Sequence, residues 1–187
     1  MTLALDTVTY REIKELGDLI LDLYNSYKIT IPPNSPLIQY INSAKKLSDS
    51  WDAGDDSVLN DREEFFKLMN HSLQILRLGS ALEYLKEKPK LENHLKRLLI
   101  GSIDPTDRKV KPAKDICFEV LVASRLEAAG FKPNLTEPDI LFGVDGFELA
   151  IACKHPYPQN IESLLKNLEG HFQKATKQIE KSGKKGL

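Results

Sequence analysis

Asp139 and Lys154 are the residues of this 187-residue sequence whose types and spacing most directly suggest chemistry. Between them lies Asp145-Gly146, the dipeptide that most strongly favours a two-residue hairpin turn. This turn sets the pairing of the flanking strands so that Asp139 lies opposite Ala152. Asp139 and Lys154 then share one face of the hairpin as diagonal neighbours, about 7–8 Å apart. An acid and a base at that distance can hold one small ligand between them.

A second unusual acid is Glu119, the only acidic residue within the apolar run of residues 116–123. Burying a carboxylate in such a run costs several kcal/mol unless a cation or hydrogen bonds compensate. Two arrangements stay open. In one, the helix brings Glu119 to Asp139; in the other, Glu119 reaches an arginine or the solvent.

The elements that must position these residues follow from a change of hydrophobic period in the second half of the chain. A strongly apolar helix comes first, three short strands follow, and a long amphipathic helix comes last. In chain order we predict a helix at 114–129 ended by Gly130, strands at 131–136, 139–144 and 147–154, a helix between Asn160 and Gly183, and the start of a strand at 184–187.

These residues and elements resemble the PD-(D/E)xK nuclease superfamily, which includes restriction endonucleases, Holliday-junction resolvases and many DNA-repair and phage-defence nucleases. The family core runs helix, three strands, helix, strand. The resemblance covers residues 112–187, and we expect the last strand to be incomplete. Pro138-Asp139 looks like the family's "PD", Lys154 like its lysine, and Glu119 like the acid that often sits on the first core helix. The implied fold class is α+β or α/β, with a restriction endonuclease-like αβββα(β) core.

The resemblance implies hydrolysis of phosphodiester bonds in nucleic acid, with DNA as the expected substrate and Mg²⁺ or Mn²⁺ as the cofactor. Asp139 and Glu119 would be metal ligands, and Lys154 would position the nucleophile and offset charge in the transition state. Gln178 and Lys174, one turn apart on the last helix, look like the polar residues that line the site in many members. The alternative is that Asp139 and Lys154 are simply solvated ends of a loop and a strand.

One position departs from the family pattern, because the middle acid of (D/E)xK falls on Ala152. A methyl group cannot bind a metal. Three explanations stay open: the acid has moved, for example to Glu119; the domain is a natural pseudonuclease; or an acid has been replaced by alanine. We favour an altered or shortened form of an active enzyme.

Positive charge collects beside the proposed site, with seven lysines against three acids from Lys154 to Leu187. Lys174, Lys177 and Lys181 are therefore candidate contacts to a nucleic-acid backbone. A solvated helix face explains the same charges equally well.

The first half of the chain predicts only helices, so we divide the chain into an all-α domain at 1–104 and a nuclease-like domain at 105–187. The boundary lies in the turn-rich stretch 101–107, and the net charge is −3 over residues 1–104 and +2 over residues 105–187. No catalytic group stands out in the helical domain, where His94 is expected to be an ordinary helix histidine; a protein partner, a second copy of the chain or substrate would bind there. Apolar spacings of three and four predict helices at 13–27, 37–47, 65–85 and 91–99, with an acidic loop at 52–56.

Composition excludes several classes of protein. With 41% apolar and 28% charged residues the chain is not disordered, and its apolar runs are too short to span a membrane. The net charge of −1 excludes a wholly basic nucleic-acid coat, and the N-terminus does not look like a secretory signal. Two cysteines predict a reducing compartment, the cytoplasm.

Two functions are consistent with these patterns. The first is a metal-dependent endonuclease of restriction, repair or phage defence. The second is a non-catalytic pseudonuclease module that binds nucleic acid or a protein partner. Metal binding that depends on Asp139 favours the first, and salt-dependent binding of DNA without metal favours the second.

Overall fold

The structure, a computed structural model, describes residues 7–105, 107, 112–136, 138–153, 161–183 and 185–186, of which 161–167, 182 and 185–186 are described by their backbone alone. Within these residues the protein is a mixed α and β structure that is mostly helical. The chain divides into two compact units, Met1–Ser80 and Ala81–Leu187.

The first unit is built from helices whose ends are set by local hydrogen bonds. Thr9 and Glu12 form a capping box at the start of the first helix, and Ser35 caps the second through the backbone N–H of Ile38. Gly54 ends the second helix in the left-handed conformation, with φ of 64°. The helices are α1 (Tyr10–Ser26), α2 (Pro36–Ala53), α3 (Ser57–Asn60) and α4 (Arg62–Leu85), whose last residues belong to the second unit.

The predicted helices of the first unit are confirmed, but the predicted acidic loop at 52–56 is wrong in part. α2 continues through Ala53, so Asp52 is helical, and residues 57–60 form α3. Four residues are too few to show a helical period in a sequence.

The close packing of α4 against α1 requires glycine at position 79, because a Cβ on Gly79 would lie 2.7 Å from the Cβ of Leu16 on α1.

The second unit follows the predicted order of helix, three strands, helix and strand, with one more helix before them. α5 precedes this order and packs against α6, and α6 contacts the second strand of the sheet. The elements are α5 (Leu91–Leu98), α6 (Pro112–Ala128), β1 (Asn134–Thr136), β2 (Asp139–Val144), β3 (Phe147–Ile151), α7 (Ile161–Ser182) and β4 (Lys185–Gly186).

The sheet has the strand order β1-β2-β3-β4, with the first three strands antiparallel and β4 parallel to β3. The hairpin register predicted from Asp145-Gly146 is confirmed, since Ile140 pairs with Ile151 and Val144 with Phe147. Asp145 and Gly146 both have positive φ, of 48° and 81°, as a primed hairpin turn requires.

Two predicted strands are too long. β3 ends at Ile151, three residues before the predicted end at Lys154, and there the backbone N–H of Cys153 is bonded to a side chain instead of to a neighbouring strand. β1 begins at Asn134 because residues 129–131 complete the end of α6, with the N–H of Phe131 donating to the carbonyl of Leu126.

The compact units divide at Ser80, about twenty residues before the boundary that charge and turn residues predicted. α5 joins the second unit through its packing on α6. Lys88, between α4 and α5, also pairs with Glu127 of α6 at 2.5 Å. A change in net charge does not reveal such packing, and residues 101–105 lie inside the second unit.

No described helix is long and apolar enough to cross a membrane.

The core of the second unit forms where α6 meets the sheet, with Ile116, Val120 and Ile140 fully buried.

Candidate functional site

Asp139 is the best-held acidic side chain among the predicted site residues. It is the first residue of β2, follows the buried Pro138, and is itself half-buried. The backbone N–H of Cys153 donates to its Oδ2 at 2.6 Å, and Nε2 of Gln178 donates to its Oδ1 at 3.0 Å. We call these three residues, with Ala152, the Asp139 cluster.

Gln178 ties the cluster to α7. Besides the bond to Asp139, its amide nitrogen lies in hydrogen-bonding contact with the carbonyl oxygen of Pro138. An amide NH₂ has two N–H donors, so one side chain can serve both acceptors. Asp139 is thereby held from the start of β2, from the chain just after β3, and from the long helix α7.

Each carboxylate oxygen of Asp139 accepts one of these hydrogen bonds, and the two bonds together fix the orientation of the side chain. A carboxylate offers about four acceptor positions in all. Such a group can accept hydrogen bonds from the protein and coordinate a cation at the same time.

Position 152 follows the last paired residue of β3. The paired ladder ends at Ile140 and Ile151, and the following residue, Ala152, is half-buried. Cys153, the residue after it, supplies the N–H that reaches Asp139. Residue 152 therefore directly precedes the residue whose N–H is bonded to Asp139, and a longer side chain at position 152 would begin next to that hydrogen bond.

The predicted catalytic lysine, Lys154, lies outside the described residues, so its predicted position as a diagonal neighbour of Asp139 stays a prediction.

Glu119 lies in a different contact from the one that the resemblance implies. Its Oε2 is 3.4 Å from Nε2 of His94 on α5, and both residues are buried, at 6% and 8% exposure. Nδ1 of His94 is buried without a hydrogen-bond partner among the described residues. The carboxylate of Glu119 needs a partner such as His94, because burying a carboxylate without a partner is energetically costly. The sequence indicates that Glu119 needs a partner but does not identify His94, for which it predicts only an ordinary helix histidine.

Three lysines were predicted to contact a nucleic-acid backbone, and all three are exposed on α7: Lys174, Lys177 and Lys181. Lys174 precedes Gln178 by four residues and Lys181 follows it by three, so both share its face of the helix. Lys177 lies on the adjoining face. The positive charge of α7 therefore borders the side that reaches Asp139.

No protein-family model, curated protein or solved structure matches this chain.

The donor set of the Asp139 cluster fits a divalent cation only in part. Among the residues that the structure describes, no three His, Cys, Asp or Glu side chains are grouped to hold a metal. Mg²⁺ is nevertheless commonly bound through one or two carboxylates, with water and substrate phosphates as its other ligands. Asp139 supplies one such carboxylate, and alanine at position 152 supplies none.

Proposed function

We propose that the second unit is a metal-dependent nuclease-like domain that acts on nucleic acid, with DNA as the expected substrate. The observation that carries this proposal is the convergence on Asp139 of the backbone after β3 and of Gln178 from α7. Asp139 and Gln178 are 39 residues apart in sequence, and both were singled out by the resemblance to the PD-(D/E)xK superfamily. The order of α6, β1, β2, β3, α7 and β4 is the order that the same resemblance implies.

In this proposal Asp139 holds Mg²⁺ or Mn²⁺, with Glu119 as the second candidate ligand. When bound, such an ion polarises a phosphoryl oxygen and lowers the pKa of a coordinated water. Gln178 and the N–H of Cys153 keep the carboxylate of Asp139 in one orientation. Lys154 would offset negative charge at the phosphate, and Lys174 and Lys181 would attract the nucleic-acid backbone along α7.

Three features favour a second candidate, a non-catalytic module that binds nucleic acid or a protein. Alanine occupies the position of the expected middle acid. Both oxygens of Asp139 are bonded within the protein. Glu119 is paired with His94 rather than exposed to a ligand. In this candidate the lysines of α7 bind phosphates without any metal.

Titration calorimetry with Mg²⁺ and Mn²⁺ separates the two candidates. We expect metal binding to the unaltered chain and its disappearance in Asp139→Asn, which keeps the shape of the side chain. Asp145→Asn is the matched control, because Asp145 lies in the hairpin turn with a positive φ that asparagine also adopts readily. Metal binding that survives Asp139→Asn, or DNA binding that is salt-dependent and indifferent to metal, supports the non-catalytic module instead.

A further inference from the structure

The first unit contains an apolar cavity that has no part in the proposed nuclease. Its volume is about 380 Å³. Leu47 and Val58 form its floor and are buried, at 4% and 9% exposure. Tyr10, Trp51 and Phe65 contribute its aromatic walls. We call the cavity with these five residues the Trp51 groove.

Part of the wall of the Trp51 groove is open to solvent. Trp51 is 69% exposed, and its ring meets that of Tyr10 edge-on at a centroid distance of 5.4 Å. Leu59, which α3 places at the groove, is 55% exposed. Large apolar side chains that cluster around a cavity and face water mark a surface where another molecule docks.

The charged residues that line the groove are both acidic. Asp55 and Asp56 line it, and no basic residue does so among the described residues. The hydroxyl and the backbone N–H of Ser57 lower the pKa of Asp55, so this carboxylate is ionised at neutral pH. An aromatic wall beside carboxylates complements a cation that is flat and weakly hydrated, which describes the guanidinium of arginine.

We propose that the Trp51 groove binds an arginine-containing peptide segment of a protein partner. The guanidinium lies on the indole of Trp51 and pairs with Asp55 and Asp56. An apolar side chain of the same segment fills the cavity over Leu47 and Val58. This proposal stands independently of the nuclease proposal, because it uses residues of the first unit alone.

Trp51 is the single tryptophan of the chain, so its fluorescence reports on this groove directly. The probes are blocked alanine-based peptides that carry one Arg and one Leu, placed next to each other or three or four residues apart. We expect saturable binding that shifts the emission to shorter wavelength and protects Trp51 from acrylamide quenching. Replacing Arg by Lys in the peptide should weaken binding roughly twofold to fivefold, because a lysine ammonium stacks less well.

Matched variants separate the groove from general surface charge. Asp55→Asn, Asp56→Asn and Leu59→Ala should each weaken peptide binding at least about twofold. Asp22→Asn and Leu73→Ala are the controls, since both residues are exposed in the same unit and lie outside the groove. All five substitutions should leave the thermal unfolding midpoint nearly unchanged.

Three outcomes would overturn the proposal. One is an emission spectrum that no peptide of the set changes at millimolar concentration. Another is equal binding by Asp55→Asn, Leu59→Ala and the two controls. The third is a shift that depends on protein concentration without peptide, which would assign the groove to a second copy of this chain.

Discussion

The side-chain amide of Gln178 donates a hydrogen bond of 3.0 Å to the carboxylate of Asp139, across 39 residues of sequence. This contact joins the last long helix to the first residue of β2. It shows that Gln178 is the polar residue of α7 that orients the side chain of Asp139.

Replacing Gln178 by glutamate tests whether this contact is a cation site. The variant sets two carboxylates side by side, and their repulsion should destabilise the protein by about 1–4 kcal/mol without metal. Millimolar Mg²⁺ or Mn²⁺ should restore much of that stability. Urea unfolding with and without metal measures both effects. Gln173→Glu is the control, because Gln173 is exposed on the same helix and its substitution adds the same negative charge. Equal unfolding midpoints for the two variants in both conditions would contradict the prediction.

The buried pair of His94 and Glu119 should behave as one unit in a double-mutant cycle. Replacing either residue by leucine leaves the other polar group buried without its partner, at a cost of about 3–5 kcal/mol. The double variant should cost clearly less than the sum of the two. The exposed pair of Lys96 and Glu92, 2.6 Å apart, is the control and should show a coupling of only about 0.5 kcal/mol. Additive effects for His94 and Glu119, measured by chemical unfolding, would show that the two do not depend on each other.

The capping box of α1 predicts a dependence of stability on acid. Hydrogen bonds from the backbone and side chain of Thr9 lower the pKa of Glu12 below its ordinary value of 4.5. The folded state therefore favours the ionised form, and this stabilisation is present above pH 4.5 and lost as the pH falls through the lower, folded-state pKa. Glu12→Gln should flatten this part of the profile of urea midpoint against pH. A profile that is identical in Glu12→Gln would rule out this contribution.

The lysines of α7 should control the affinity for nucleic acid through its phosphates. Replacing Lys174, Lys177 and Lys181 together by glutamine should weaken DNA binding and reduce its dependence on salt, by about one unit of log–log slope for each phosphate that is no longer neutralised. Fluorescence anisotropy at several salt concentrations measures both quantities. Lys86→Gln is the control, because Lys86 is an exposed lysine of the same unit outside α7. An unchanged salt slope in the triple variant would show that α7 is only a solvated face.

Local signals predicted the hairpin of the second unit well. Asp145-Gly146 specifies the turn and, as a two-residue loop, the register of β2 and β3, so the pairing of Phe142 with Leu149 could be predicted. The end of β3 could not, because it coincides with a contact between the N–H of Cys153 and the side chain of Asp139.

Contacts between distant helices were beyond the reach of the sequence. Glu119 is an isolated acid in an apolar helix, so the sequence indicates that it needs a partner. The partner could not be identified, because 25 residues separate Glu119 from His94 and no local pattern joins them. The Trp51 groove was missed for a related reason. It depends on α3, a four-residue helix too short to produce a hydrophobic period.

The central claim, that the Asp139 cluster is a nuclease site lacking one acid, is tested most directly by substitution at Ala152. The measurement compares Ala152→Glu with Ala152→Gln for cleavage of supercoiled and linear DNA and of RNA in Mg²⁺ or Mn²⁺. The two side chains have nearly the same size, but only glutamate brings the carboxylate that a divalent ion requires.

We predict that Ala152→Glu creates or greatly increases metal-dependent cleavage, that Ala152→Gln does not, and that adding Asp139→Asn to the active variant abolishes the gain. A folded Ala152→Glu protein that cleaves none of these substrates, or whose cleavage persists without Asp139, would contradict the account.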